Sequence, residues 1–485
     1  MIGGGGAGLC AAIEAVANGA PTILLEKNPT LGGSTAWSVG SVTASQTWHQ
    51  RREKIADNPE WHWQDMALFA TGQEGPDNAE LRRVLCEALP ETFDWLLSLG
   101  IRFFGPVMEP PHRLPRMHTV LPNSKSFIYH LGRRARRVGV DIRTGVTVSR
   151  LLFDSGRVAG VEVVTGQQSA LQAALQPAGA VILAAGDFTN DPTFKARFMG
   201  EPAAAVPGIN VTATGDGQRM AEALGASILN GHLALGPELR FRAPASEHWL
   251  KRLPPWTWLA ASLEWSMRTF PPRLWRPLLM QFLTTALAPS LSLFQQGALL
   301  VDQRGCRIDA HPVELATRVA QAPGNSAYIV IDARIAYEFS AWPHYISTAP
   351  GVAYAYLPDY VRNRPDVCRG AATLEDLAKR LRMDVGELQR SVGNHFGAGP
   401  FWALGPVSAV FVHSEGGLAV DLEHRVLDRV GRGIAGLYAA GSTGQGGLLL
   451  KGHGHHLAWA FTSGRRAGRH AARFASASPT YTVDA

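Results

Sequence analysis

IGGGGAGL occupies residues 2–9 and PTILLEK follows at 21–27. Gly3, Gly5 and Gly8 stand at the three glycine positions of GxGxxG, where a tight turn, close approach of backbone to a pyrophosphate and close helix packing each exclude a Cβ. Ala11–Asn18 then reads as a helix and Pro21–Glu26 as a short buried strand ending in an acid. Glu26 falls where a carboxylate accepts from a ribose hydroxyl pair, so the opening reads as the βαβ unit of a dinucleotide site rather than a flexible glycine-rich start. Only Met1 and Ile2 precede the turn, fewer residues than a first strand needs, and the expectation is a native chain that begins upstream.

Further glycine-ended segments lie along the chain. LGGSTAWSVGS (31–41) is rich in small residues that let backbone approach a ligand. AVILAAGDF (180–188) reads as a buried strand, Thr214–Gly217 leads into a helix whose N-terminus suits an anion, and GLYAAGSTGQGG (436–447) repeats strand, glycine, helix. Their common feature implies one shared ligand. Residues 60–100 read as helical with Gly100 as C-cap, and VDIRTGVTVSRLL (140–152) with VAGVEVV (158–164) reads as a meander turning after Gln167 and Gln168.

The fold class expected is α/β, a Rossmann-like domain with an inserted α+β capping domain. The boundaries are 1–226 with 405–475 for the first, 227–404 for the cap, and a disordered tail at 476–485. Helices in the cap are expected to start at Thr373 and Asp384. Within the cap, residues 249–294 hold five tryptophans and five basic residues against one acid. Pro254, Pro255, Pro271, Pro272 and Pro277 argue against a spanning helix, leaving either attachment to a membrane surface or a cap packed on the protein or a second subunit.

With 485 residues, 46% hydrophobic content and 51 glycines, the composition is that of a globular α/β enzyme. The net charge of +6 comes from arginines spread along the chain, as in RRARR (133–137), and reads as solvated faces or attraction to an anionic cofactor or membrane, not as nucleic-acid binding. Cys10, Cys86, Cys306 and Cys368 show no paired spacing, which suggests core thiols in a reducing compartment. A cytoplasmic location is expected, peripheral to the inner face of a membrane if the 249–294 segment attaches.

IGGGGAGL, LLEK with GGSTAWSVGS, ILAAGDF, ATGDG, GALLVDQRGCRID, HSEGGLAVD and GLYAAGSTGQGG with the closing TSGRRAG together resemble the flavoprotein group of soluble fumarate reductases, urocanate reductase and 3-ketosteroid Δ1-dehydrogenases. The resemblance implies FAD. Around the first turn it assigns Gly3, Gly5, Gly6, Ala7, Gly8, Glu26 and Lys27 to the cofactor. From the small-residue cluster it adds Gly33, Ser34, Thr35, Gly40 and Ser41. From later segments it adds Thr147, Ala185, Gly186, Asp216, Gly441 and Leu448. Some members hold flavin covalently through a histidine in the segment matching 33–41; none occurs here, so non-covalent FAD is expected.

The implied reaction reduces or forms a C=C bond conjugated to a carbonyl or carboxylate, on a small-molecule substrate larger and more apolar than fumarate, with an unidentified electron donor or acceptor. The same resemblance places His413, Ser414, Lys451 and Arg318 in the catalytic site, with Arg318 as proton donor. The tyrosines of the ketosteroid branch would fall at Arg318 and Leu450, so both phenols are absent. His455 or His456 could stand over the flavin or substrate, and KGHGHH (451–456) does not have zinc spacing. Two alternatives remain: a ketosteroid-type dehydrogenase with altered acid and base groups, and a membrane-associated flavoprotein with only a binding or electron-transfer role.

Overall fold

The computed structural model describes residues 1–72, 75–165, 172–244, 249–311, 314–349 and 353–477. The first helix begins inside the glycine motif, spanning Gly6–Ala17 instead of starting at Ala11, because the small residues of GAGLCAA let its first turn pack directly under the sheet. Ile2 alone fills the place of the short first strand. It bridges in parallel to both Leu25 and Leu183, its amide donates to Ile182 O (2.9 Å), and its carbonyl accepts from Ala184 N (2.8 Å).

Around Ile2 the sheet runs Asp141–Thr144, Ile23–Glu26, Ile2, Val181–Leu183, Gly433–Ala439 and Arg425–Leu427, with only the last strand antiparallel to its neighbour. Asp141–Thr144 therefore belongs to this parallel sheet and not to a meander. The helix Lys125–Arg137 and the turn at Gly139 carry the chain back beside Ile23–Glu26, a βαβ crossover. The meander is Thr147–Asp154, Arg157–Thr165 and Gln172–Pro177; its expected Gln167–Gln168 turn lies outside the described residues.

The 60–100 stretch is two helices, Pro59–Phe69 and Ala79–Ser98, each started by an asparagine side chain, with Gly100 closing the second at φ +98°. Strand Val181–Leu183 is shorter than AVILAAGDF suggested. Gly441–Gly444 forms a single tight turn, and the long C-terminal helix begins only at His455, running to Ala477. That helix extends two residues into the expected tail; 478–485 lie outside the described residues. It packs against Gly6–Ala17 through Gly464 and Gly468, where a Cβ would stand 2.4 Å from Ala7 O and 2.3 Å from Ala11 O.

The cap is built on a sheet of Glu238–Phe241, Phe401–Val410, Ala327–Ile331 and Leu299–Asp302, with Cys368–Ala371 also paired to the long strand. Its last strand passes position 404 and ends at Val410, while Ile228–Leu229 still pairs with Gly417–Leu418 on the other side. Helices Leu374–Leu381 and Val385–Val392 start as expected, capped by Thr373 and Asp384. The Trp-rich segment forms Thr257–Thr269 and Pro272–Ala286, broken at Pro271–Pro272, and no described helix is long and apolar enough to cross a membrane. Cys10, Cys86 and Cys368 are buried and all four cysteines are free thiols.

Candidate active site

The glycine turn forms one wall of a cleft also lined by Glu26, Lys27, Gly33, Ser34, Thr35, Ala185, Gly186 and Gly441. Gly3 sits at φ +101°, and a Cβ there would lie 2.3 Å from Ala184 O; at Gly8 it would lie 1.9 Å from Gly3 O. Glycine is thus obligatory at both, and the cradle they leave is open to a ligand at the N-terminus of a twelve-residue helix. Glu26 is buried, its carboxylate fixed by donation from Gly4 N (2.7 Å), Asn28 N (2.8 Å) and Asn28 Nδ2 (2.8 Å). Thr35 Oγ1 accepts from Gly6 N (3.1 Å), tying the helix Gly33–Trp37 to the glycine turn. At the rim, Lys27 Nζ donates to Asp216 Oδ2 (2.7 Å) and Thr214 Oγ1 (2.6 Å).

Helix Gly33–Trp37 also separates this cleft from a second cavity of about 500 Å³. Its floor comes from Ala36, Trp37, Ser41, Met117 and Thr119, and its roof from Leu263, Met267, Trp275, Leu279 and Phe282 of the two Trp-rich helices. The lining is predominantly apolar, and His453 and Lys125 are its ionisable members.

Three groups of polar side chains stand behind these walls. Glu415, in HSEGGL, is buried and takes His456 Nε2 at 3.2 Å, Leu450 N at 3.1 Å and the amide of Gln445; His413 Nε2 lies 3.6 Å away, its ring 3.9 Å from that of His456. Burial opposes ionisation of Glu415, but His456 and His413 outweigh it and hold the carboxyl well below its usual range; burial in turn lowers His413. Glu109, also buried, accepts from His453 Nδ1 at 2.5 Å.

Third, His62, His112 and His455 are buried close enough to share an ion. Hydrogen-bond direction argues otherwise. Arg116 can only donate to His112 Nδ1 (3.0 Å), so His112 carries its proton on Nε2 and donates it to His455 Nε2 (3.3 Å); His455 Nδ1 then donates to Lys451 O (2.7 Å). The facing nitrogens are committed to one proton and leave no paired lone pairs for a metal. Burial pushes His112 down to about 2 and His455 to about 4.

The family model for the FAD binding domain matches residues 1–246 and 277–449. The chain belongs to this family. The two matched stretches leave out 247–276, the first half of the Trp-rich roof. The NADH:fumarate oxidoreductase of Klebsiella pneumoniae is 24% identical over 470 residues, 91% of this chain but 44% of that protein, so the chain spans less than half of it. The vinyl phenol reductase of Lactiplantibacillus plantarum is 24% identical over 511 residues, covering 98% of this chain and 96% of that one. The fold matches that of an open flavocytochrome c3 fumarate reductase with a TM-score of 0.72 at 23% identity, over 98% of this chain and 78% of the other. The relatives with which this member of the FAD-binding family aligns are named as reductases of fumarate and of vinyl phenol.

The cradle fits FAD on its own terms: two obligatory glycines, a helix N-terminus for the pyrophosphate and a buried carboxylate for the ribose. Gly3, Gly5, Gly6, Ala7, Glu26, Lys27, Gly33, Ser34, Thr35, Thr147, Ala185, Gly186, Asp216 and Gly441 all line the cleft. Gly8 supports the turn from beneath, and Ser41 lines the second cavity. Gly40 packs on Val120, and Leu448 is fully buried in the core. Asn210, Thr212 and Ser442 also line the cleft; Ser442 stood inside GLYAAGSTGQGG and was passed over, while Asn210 and Thr212 are brought there by three-dimensional proximity.

The catalytic expectations fare differently. His413 is placed beside Glu415, but Ser414 is fully buried, its hydroxyl accepting from Gly416 N (2.8 Å) and its amide donating to Asp187 Oδ2 (3.4 Å), so it serves the turn. Lys451 and Arg318 are exposed and line neither cavity. Arg318 lies on the solvent side of helix Leu315–Gln321, whose buried face is Leu315, Ala316 and Val319.

Proposed function

We propose that this flavoprotein reduces, or in reverse forms, a C=C bond conjugated to a carbonyl or carboxylate in a substrate larger and more apolar than fumarate. The observation that carries the reading is the cavity of about 500 Å³, floored by the flavin-side helix and roofed by apolar side chains of the Trp-rich helices. FAD, held non-covalently, supplies the hydride donor or acceptor. The glycine turn, Glu26 and the Lys27–Asp216 rim hold it, and the apolar roof excludes water from the reacting bond.

The test is anaerobic photoreduction of the holoprotein followed by mixing with conjugated acceptors graded in size and charge. Bulky apolar enones or aryl acrylates should reoxidise it faster than fumarate. Reoxidation by no acceptor above the buffer rate, with no saturated counterpart bleaching the oxidised form, removes the reading. Acid precipitation should release all of the flavin to the supernatant; flavin retained on the pellet would mean a covalent link.

The roof helices support a membrane surface as the source of such a substrate. Their inner side faces the cavity, yet Trp258 (64% exposed), Trp265 (61%) and Leu274 (61%) point outward with Trp256 and Phe270. A helix pair apolar on both sides needs a second apolar phase. Arg268 and Arg273 are exposed beside these residues, while the segment's acid, Glu264, is engaged by Arg52 (3.1 Å). That pattern suits anionic headgroups above an interfacial aromatic layer. Sedimentation with anionic liposomes should pellet the protein, and the W258S/W265S/L274S variant should stay in the supernatant; equal pelleting of the two refutes the attachment.

A further inference from the structure

We propose that His453, oriented by Glu109, is the acid that delivers the proton to the substrate carbon in the apolar cavity. The inference rests on the C=C reading above and names a residue that the motif resemblance left without a role. His453 sits between Gly452 (φ +100°) and Gly454 (φ +89°), a kink that turns its ring out of the chain. The kink is pinned from the flavin side. Thr43 Oγ1 donates to His453 O (2.5 Å), and a Cβ on Gly454 would lie 2.6 Å from Thr43 N.

Glu109 holds the other end. Its carboxylate accepts from His453 N at 3.0 and 3.1 Å and from Nδ1 at 2.5 Å, which fixes both the ring plane and the position of one proton. Nε2 pairs with no described residue, and the side chain, 41% exposed, lines the cavity. A carboxylate clamped on Nδ1 while Nε2 is left facing a reaction space is the arrangement that makes an imidazole a positioned acid or base.

The surrounding charges favour that assignment. The Glu109 hydrogen bond raises the affinity of His453 for its proton against the opposing effects of burial and of Arg240, which is itself paired to Glu238. Lys125 reaches the same cavity from the opposite wall. By contrast His112 and His455 are held neutral with their protons committed, and Arg318 is exposed outside the cavity. His453 is thus a cavity-facing group that combines a raised proton affinity with a free nitrogen.

In the reduction, bound FAD would supply the hydride for one alkene carbon. The π pair of the C=C bond shifts toward the conjugated oxygen and is drawn back to form the second C–H bond as the Nε2–H bond breaks. The imidazolium becomes a neutral imidazole hydrogen-bonded to Glu109 and regains its proton from water. In the oxidative direction the same nitrogen accepts the proton.

The experiment compares wild type with His453→Gln and Glu109→Gln, each checked for an unchanged flavin spectrum and melting curve. With an acceptor that reoxidises wild type, His453→Gln should lower the reoxidation rate roughly 10² to 10⁴ fold with apparent substrate affinity nearly unchanged. Because reduction needs the imidazolium, the rate falls as pH rises through the His453 pKa, and Glu109→Gln should move that fall to lower pH. A His453→Gln rate within about threefold of wild type overturns the proposal.

A second readout needs no turnover. In ¹⁵N-histidine spectra, the resonance lost in His453→Gln should titrate above the ordinary histidine value in wild type and lower in Glu109→Gln. If no acceptor reoxidises wild type, the C=C reading has failed; if this resonance titrates at or below the ordinary value, the His453–Glu109 assignment has failed whatever the acceptor screen gives.

Discussion

Replacing Gly464 by alanine tests the joint between the first and last helices. Gly464 lies mid-helix with ordinary helical geometry, so on propensity alone the substitution would stabilise by about 1 kcal/mol. The structure reverses that sign. A Cβ there would stand 2.4 Å from Ala7 O and 3.1 Å from Ala7 C, backbone atoms of the helix that carries the glycine turn. An ordinary contact needs about 1 Å more, and neither helix can yield by rotating a side chain. Overpacking of this kind costs about 1 to 3 kcal/mol, here at the upper end because the partner is backbone, which leaves a net loss of about 2 kcal/mol.

For a chain this long that is a fall in melting temperature of about 4 °C or somewhat less. Since the shift displaces Ala7, which lines the flavin cleft, FAD affinity should drop as well. Differential scanning fluorimetry with and without excess FAD, together with flavin fluorescence titration, reads both. A Gly464→Ala protein that melts higher than wild type and holds FAD equally well would refute the close-packing argument outright.

Three other outcomes are expected. Arg116 is fully buried between Asp57 (2.6 and 2.7 Å) and Asp65 (2.5 Å), and while Asp65 keeps Arg113 (2.7 Å), Arg116→Met leaves the buried Asp57 without its cation and should cost about 3 kcal/mol in urea unfolding; a loss under 1 kcal/mol would mean the pair is not buried in solution. Burial lowers His49 to about 4, His118 to about 3 and His424 to about 3, below the unfolded value near 6.5. Between these values the unfolded chain binds protons that the folded chain refuses, so stability should fall as pH drops below about 6.5. His424→Leu, which removes an imidazole with neither nitrogen paired, should flatten that slope by about 1.4 kcal/mol per pH unit; an unchanged slope refutes it. Finally, Leu279→Trp fills the second cavity from its roof and should raise KM for bulky acceptors tenfold or more while sparing small ones; equal effects on both would place the substrate elsewhere.

Much of the flavin side was legible because each of its demands is local. A Cβ at Gly3 or Gly8 collides with atoms a few residues or one strand away, and the acid at Glu26 follows from strand length. The capped helices at Thr373 and Asp384 were readable for the same reason. Asp141–Thr144 was not, since an exposed edge strand shows no burial pattern that separates a parallel partner from a meander. The polar clusters were hidden by distance: His453 and Glu109 are 344 positions apart, and the cavity exists only where two distant segments face each other. Glu415 stood in plain view within HSEGGL and could have been flagged as an acid between a histidine and a glycine pair. The outward placement of Arg318 was also readable, because LATRVAQ puts Leu315, Ala316 and Val319 on one face and Arg318 off it.

The chain crosses between the flavin body and the cap at two places, and the crossing strands are paired with each other, Ala234 to Ser414 and Leu235 to His413. One residue further on, Glu415 is bolted to the body by Gln445 and Leu450, while Phe401–Val410 just before belongs to the cap sheet. His413 therefore sits on the strand pair that joins body and cap, while its carboxylate partner is fixed to the body. Were the cap to turn about that strand pair, the angle at which the imidazole meets Glu415 would turn with it, tying access to the cavity to the charge beside it.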